Sequence, residues 1–153
     1  MSVEIQLARE DRQTDIRCLL DEYLAELSTY GEVDTAYPYF ESYWGASEGR
    51  WPFLIMGEGE LVGFAFVNTF SPSGRGTDFS MAEFYIQPSA RGKGYGIAAA
   101  MALMRKFRGL WELSIMRANK RAHNFWSKVV SEIEGRDAEF FEHKGDTIYR
   151  FSV

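Results

Sequence analysis

Among its 153 residues the chain has one cysteine, Cys18, and two histidines, His123 and His143. A single cysteine excludes an intramolecular disulfide, and so few thiols and imidazoles supply no zinc-type ligand cluster. No stretch approaches the ~18 consecutive apolar residues of a membrane span, and Met1 to Ile5 lack the charged-then-apolar pattern of a secretory signal. Long basic blocks are absent too, and 17 basic against 22 acidic residues leave a net charge of −5. Nucleic acid is therefore excluded as a main partner, because that binding rests on neutralising phosphates. Together these absences point to a cytoplasmic protein with no metal and no membrane partner.

What is present is apolar and aromatic. Hydrophobic residues make up 46% and charged residues 25% of the chain, enough for a core and too apolar for a disordered tail. The length suits one domain over residues 1–153. Its 12 Phe, 8 Tyr and 4 Trp suit a ligand cleft or a partner surface.

Periodicity divides the chain into elements. Ser2 to Leu7 alternates and predicts a strand, whereas Ile16, Leu19, Leu20, Tyr23, Leu24 and Leu27 recur at helical spacing and predict an amphipathic helix ending near Gly31. Glu32 to Arg50 carries Tyr37, Tyr39, Phe40, Tyr43 and Trp44 and reads as a loop holding at most a short helix. Trp51 to Met56 and Leu61 to Phe70 flank Gly57-Glu58-Gly59-Glu60 as a hairpin, and Phe79 to Ile86 forms the next strand. A helix from Gly94 to about Phe107, a strand from Trp111 to Met116 and a helix from Asn119 to Ile133 follow. A closing hairpin turns around Lys144-Gly145-Asp146. The expected fold is α/β: one mixed sheet of about seven strands flanked by four helices, antiparallel at the start and parallel around the glycine loop.

Chemistry concentrates in Glu83 through Ala99, where a strand runs into a loop with glycine at 92, 94 and 96 and that loop opens a helix. Glycines let backbone N–H groups approach a ligand, and a helix start adds about half a positive charge. The combination suits a pyrophosphate, and Arg91 and Lys93 add cations. The dinucleotide fingerprint fails on spacing, since Ile97 stands where its third glycine belongs. A P-loop fails because Gly94, not a hydroxyl residue, follows Gly92-Lys93.

Arg91-x-x-Gly94-x-Gly96 resembles the pyrophosphate loop of the GNAT superfamily, the acyl-CoA-dependent N-acetyltransferases. The element order resembles that fold over essentially the whole chain, and Asn119-x-x-Ala122-x-x-Phe125-Trp126 resembles the segment after the family's fifth strand. The resemblance implies acetyl-CoA as acyl donor, with the pantetheine arm along Phe84, Tyr85 and Ile86. It places the pyrophosphate on Arg91, Gly92, Lys93, Gly94, Tyr95 and Gly96, with Asn119 also touching the cofactor. It further implies a small-molecule or peptide amine as acceptor and Glu83 as general base, and homodimers are common among such proteins. One departure stands out. Many relatives place a tyrosine after the Ala-x-x pattern to protonate the leaving thiolate, and here Phe125-Trp126 occupies that place. This motivates an alternative, a non-catalytic domain that binds or senses acyl-CoA.

Plainer roles stand beside these. On a regularly alternating strand Glu83 shares a face with Met81 and Tyr85, an apolar setting that raises a carboxyl pKa; a solvated or arginine-paired carboxylate is the other option. Asn119 can serve as a helix N-cap. Tyr37, Tyr39, Tyr43 and Trp44 either shape the acceptor pocket or anchor their loop to the core. The acidic residues Glu32, Asp34, Glu41 and Glu48 nearby would favour a cationic acceptor.

Overall fold

The alternating and helical patterns become seven strands and three helices in a computed structural model that describes residues 1–45 and 48–153. In chain order these are β1 (Val3–Leu7), α1 (Gln13–Leu27), β2 (Arg50–Gly57), β3 (Glu60–Asn68), β4 (Phe79–Ile86) and α2 (Tyr95–Lys106). Then come β5 (Leu110–Met116), α3 (Lys120–Glu132), β6 (Arg136–His143) and β7 (Asp146–Ser152). The strands form one sheet in the order β1-β2-β3-β4-β5-β7-β6. Every neighbouring pair is antiparallel except β4 and β5, which run parallel.

Three α-helices, not four, flank the sheet among the described residues. The expected fourth is the single 3-10 turn Glu41–Trp44 within the aromatic loop. It stops where Gly45 turns extended, and Ala46 and Ser47, which complete that stretch, lie outside the described residues. Likewise α1 ends at Leu27, and Ser28 to Tyr30 continue it only as a turn closed by backbone bonds to Leu24, Glu26 and Leu27.

Each sheet face has its own core. Ile16, Leu19, Leu20 and Leu24 of α1 fall at i, i+3, i+4 spacing and pack on Leu54, Phe64, Phe66 and Tyr85. Ala99, Ala100, Leu103 and Met104 of α2, with Trp126, Val129 and Val130 of α3, cover Phe53, Ile55, Trp111, Leu113 and Phe151 on the other face. Burying one such Leu or Ile side chain contributes ~1.5–3 kcal/mol, so these two stripes hold the helices in place.

Two irregularities in β4 prepare the site. Its pairing with β3 slips between Phe66 and Val67, so Ala82 is an extra residue opposite β3, and a bulge of this kind bends and twists its strand. Its pairing with β5 spans only Phe79 with Trp111 and Ser80 with Glu112. Beyond Ser80 the parallel strands part, and a groove opens between them.

Candidate active site

That groove has a volume of about 620 Å³ and is walled by the parted strands, the glycine loop and the start of α3. Of the residues expected at the site, Glu83, Phe84, Tyr85, Ile86, Arg91, Gly92, Gly94, Tyr95, Gly96 and Asn119 all line it. Lys93 does not: it is exposed and stands outside the lining.

The glycine loop owes its shape to two requirements. Gly94 caps α2 with φ of 86°, a left-handed conformation that costs a residue with a Cβ ~1–2 kcal/mol. At Gly96 a Cβ would sit 2.9 Å from Phe125 Cε1, so the close approach of α2 to α3 needs the missing side chain. The first helical bond runs from the Ala98 N–H to the Gly94 carbonyl at 3.2 Å. The amides of Tyr95 to Ile97 therefore have no intrahelical acceptor and are available to an anion at the groove.

Arg91 is committed elsewhere. Its Nη2 donates to Glu26 Oε2 on α1 at 2.7 Å, its Nε donates to the Ile86 carbonyl at 2.8 Å, and its guanidinium lies over the Tyr85 ring. It ties the glycine loop to α1 rather than projecting as a free cation. Arg121 of α3 also reaches Glu26, at 3.5 Å, and lines the groove with Lys128. Neither α3 cation belongs to a motif, so only the helix's placement beside the glycine loop brings them to the site.

Glu83 sits where β4 has left β5. The bulge at Ala82 changes the strand's parity: Met81 faces the core under α2 and α3, and Glu83 turns with Tyr85 toward α1. The shared face with Met81 is thus corrected, and the apolar surroundings of Glu83 come from the α1 side. Tyr23 Oη of α1 donates to Glu83 Oε1 at 3.0 Å, and Tyr37 Oη of the aromatic loop donates to Oε2 at 2.6 Å. Burial raises the Glu83 pKa to about 7, only partly offset by the Tyr37 and Tyr23 hydrogen bonds, which favour the ionised form. Burial and the neighbouring carboxylate push both phenols up, so the tyrosines stay protonated and remain donors.

The aromatic loop divides its labour. Tyr37 reaches Glu83, whereas Tyr43 stacks on Phe66 at 3.9 Å, Trp44 Nε1 donates to the Ala8 carbonyl, and Tyr39 is exposed. Only one of the four aromatic candidates meets the site, and two anchor the loop. Tyr23 was invisible in sequence, because a tyrosine in an apolar helical stripe reads as core.

Asn119 Oδ1 accepts the Ala122 N–H at 3.1 Å, so it caps α3 and lines the groove together. Phe84, Phe125 and Trp126 form an aromatic trio with ring centroids 4.9–5.5 Å apart. No exchangeable acidic proton is offered there. Tyr95 is buried with its ring against Gly57, and Tyr85 Oη donates to Glu22. Among the described residues no group of three or more His, Cys, Asp or Glu could hold a metal, and no helix is long and apolar enough to cross a membrane.

An unpaired strand edge, an open helix start and a carboxylate at their junction are the features on which the sequence and fold comparisons bear. The chain belongs to the acetyltransferase (GNAT) family, whose model matches residues 17–130. No curated protein matches the sequence. Among solved structures the fold is similar to PaiA N-acetyltransferase from Thermoplasma acidophilum in complex with coenzyme A. That pair is 14% identical, with 100% of both chains covered and a TM-score of 0.67. Diaminobutyrate acetyltransferase EctA from Paenibacillus lautus, in complex with L-2,4-diaminobutyric acid and coenzyme A, is 15% identical. There 99% of this chain and 95% of that chain are covered, with a TM-score of 0.66. The structure of AAC(6')-Ib with ribostamycin and coenzyme A is 18% identical, covers 100% of this chain and 94% of that chain, and has a TM-score of 0.72.

Proposed function

We propose that the chain is an N-acetyltransferase that moves an acetyl group from acetyl-CoA to a primary amine, with Glu83 as general base. The observation that carries this reading is a carboxylate poised at about 7, at the point where β4 parts from β5 and the groove begins.

The residues present fit the donor. Beyond Ser80 one edge of β4 has no strand partner and offers its N–H and C=O groups to an amide-bearing chain. The α2 start offers amides to a pyrophosphate, and a Cβ at Gly92 would meet nothing within 4 Å, so the loop stands open on that side. Phe84 to Ile86, Arg91, Gly92, Gly94, Tyr95, Gly96 and Asn119 would hold the donor, most of them through backbone, with Arg121 and Lys128 adding positive charge at the wall.

Bound acetyl-CoA would supply the activated acyl carbon. An acceptor amine such as a lysine side chain, with a pKa of ~10, is mostly protonated at neutral pH and must lose a proton before it attacks. Glu83, about half ionised near pH 7, is matched to take it, directly or through one water. Tyr23 and Tyr37 hold the carboxylate oxygens in place. The Phe84, Phe125 and Trp126 trio lends no proton. A thiol with a pKa of ~8.5 departs as thiolate without an acid.

Calorimetric titration with acetyl-CoA, repeated on Gly94→Asp and Gly94→Asn, tests the donor site. Both residues tolerate the left-handed backbone comparably, and only Asp places a negative charge where the pyrophosphate would lie. Micromolar binding kept in Asn and lost in Asp is the expected result. No binding by the wild type would overturn the reading. The aromatic trio at the tyrosine position also favours a second reading, an acyl-CoA-binding domain without turnover. Binding with no release of CoA across an amine panel would select it.

A further inference from the structure

Tyr37 is held in place at some cost. Its φ is 45°, a conformation rare for a bulky side chain, and Pro38 follows it, which favours extended backbone instead. A strained residue persists only where its surroundings over-determine it, and the restraints here are explicit. Arg17 of α1 donates from Nη2 to the Thr35 carbonyl at 2.8 Å and from Nη1 to the Ala36 carbonyl at 3.3 Å, the two residues immediately before Tyr37. The same guanidinium packs over Phe40, three residues after Tyr37, and its Nε meets Asp21 Oδ1 at 3.1 Å. On the inner side the Tyr37 N–H donates to the Asp34 carbonyl, and the Phe40 N–H donates to the Tyr37 carbonyl. Arg17 thus grips the loop on both sides of the strained residue, and the strain aims a phenol at a carboxylate 46 positions along the chain.

We propose that Tyr37 is a positioning residue for Glu83, set by the Arg17 grip, so that the base is correctly held only while the aromatic loop is docked on α1. The inference rests on Glu83 being the base. Because Tyr37 donates the shorter of the two hydrogen bonds that Glu83 receives, undocking the loop removes the stronger of the contacts that fix the carboxylate and favour its ionised form. The groups facing this cluster are Tyr23 and Glu26 from α1 and Tyr37 and Tyr43 from the loop, with Arg50 of β2 beyond Tyr43. Arg17 makes no hydrogen bond or ion pair with Glu83 of its own, so an effect of the grip on that carboxyl needs Tyr37, whereas a bare charge effect does not.

The test needs no acceptor. The carboxyl ¹³C resonance of Glu83, assigned by its loss in Glu83→Gln, is followed against pH in wild type, Tyr37→Phe and Arg17→Met. In the wild type a midpoint near 7 is expected. Removing the Tyr37 hydroxyl takes a hydrogen bond from the charged form, so the midpoint rises, by about one pH unit. Arg17→Met is expected to move it the same way by a smaller amount, and to add nothing in the Tyr37→Phe background; a further shift there would be the lost charge acting directly and would overturn the grip. An unmoved midpoint in Tyr37→Phe would overturn the positioning role while leaving Glu83 as base. If the midpoint moves in Tyr37→Phe and not in Arg17→Met, the grip is overturned. A wild-type midpoint near 4.5 would instead overturn the base reading itself.

Discussion

Two glutamates sit on adjacent strands of one sheet, and their carboxyls shift in opposite directions. Glu112 of β5 is fully buried yet stays below the usual carboxylate range. Burial alone would push it up, but the hydroxyls of Ser73 and Ser71 and the guanidinium of Arg150 outweigh that. Glu83 of β4 has its pKa raised to about 7 by burial, which the hydrogen bonds from the Tyr37 and Tyr23 phenols offset only in part. Burial sets the desolvation penalty, and the set of donors on the carboxylate decides the sign of the shift: Glu112 accepts from two serine hydroxyls, the Ser73 N–H and Arg150, Glu83 from two phenols. Glu112 occupies the last rung that joins β4 to β5 and pins the Ser71 to Gly76 loop, whereas Glu83 stands beyond that rung, in the opening. One carboxylate fastens the sheet, and the other stands at its parting.

The contrast can be broken most forcefully at Arg150. Arg150→Met leaves Glu112 ionised and buried without its cation, and loss of one partner of a buried pair costs ~3–5 kcal/mol. Urea unfolding at neutral pH should show that loss, and a change below 1 kcal/mol would mean the serines alone suffice.

Glu83→Gln should lower the acetyl-transfer rate by ~10²–10⁴-fold, the usual contribution of a positioned base, with acetyl-CoA affinity unchanged. The same variant sharpens the pH comparison. The raised pKa of Glu83 means that the folded protein binds more protons than the unfolded chain between about 4.5 and 7. Its contribution to stability therefore falls as pH rises through that window. The lowered pKa of Glu112 works the other way: its contribution is present above the unfolded value and is lost as pH falls through the folded one. Stability measured from pH 2 to 8 should lose its decline toward neutral pH in Glu83→Gln and keep its acid loss. A variant curve that still declines would dismiss the burial of Glu83 as its cause.

The smallest effect is expected of Ser73→Ala. The Ser73 hydroxyl donates to Glu112 Oε2 at 2.6 Å, but Arg150, Ser71 and the Ser73 N–H still face the carboxylate. A loss of about 1 kcal/mol in the same unfolding experiment fits one hydrogen bond among several.

Much of this architecture can be read from residue order. Alternation and helical spacing locate the sheet strands and the three helices, and glycines 92, 94 and 96 mark the loop on which the groove depends. Glu83 is legible as a carboxylate on the strand before that loop. Its orientation is not, because one extra residue at Ala82 inverts the parity that alternation assumes. Its two phenol donors lie 60 and 46 positions away, and nothing in the local pattern of either tyrosine points to a carboxylate. Arg91 reads as a cation for an anion, yet Glu26 claims it across the fold. Local periodicity reports what a residue prefers, and distant partners decide what it does.

The two-residue ladder between β4 and β5 has a mechanical side. It makes the sheet two panels, one of four strands and one of three, stitched at a single end and left free along the rest of the seam. A guest that laid its amides along the open edge of β4 would lengthen that seam and serve as a removable strand. The backbone bonds forgone between the panels are what leave room for it.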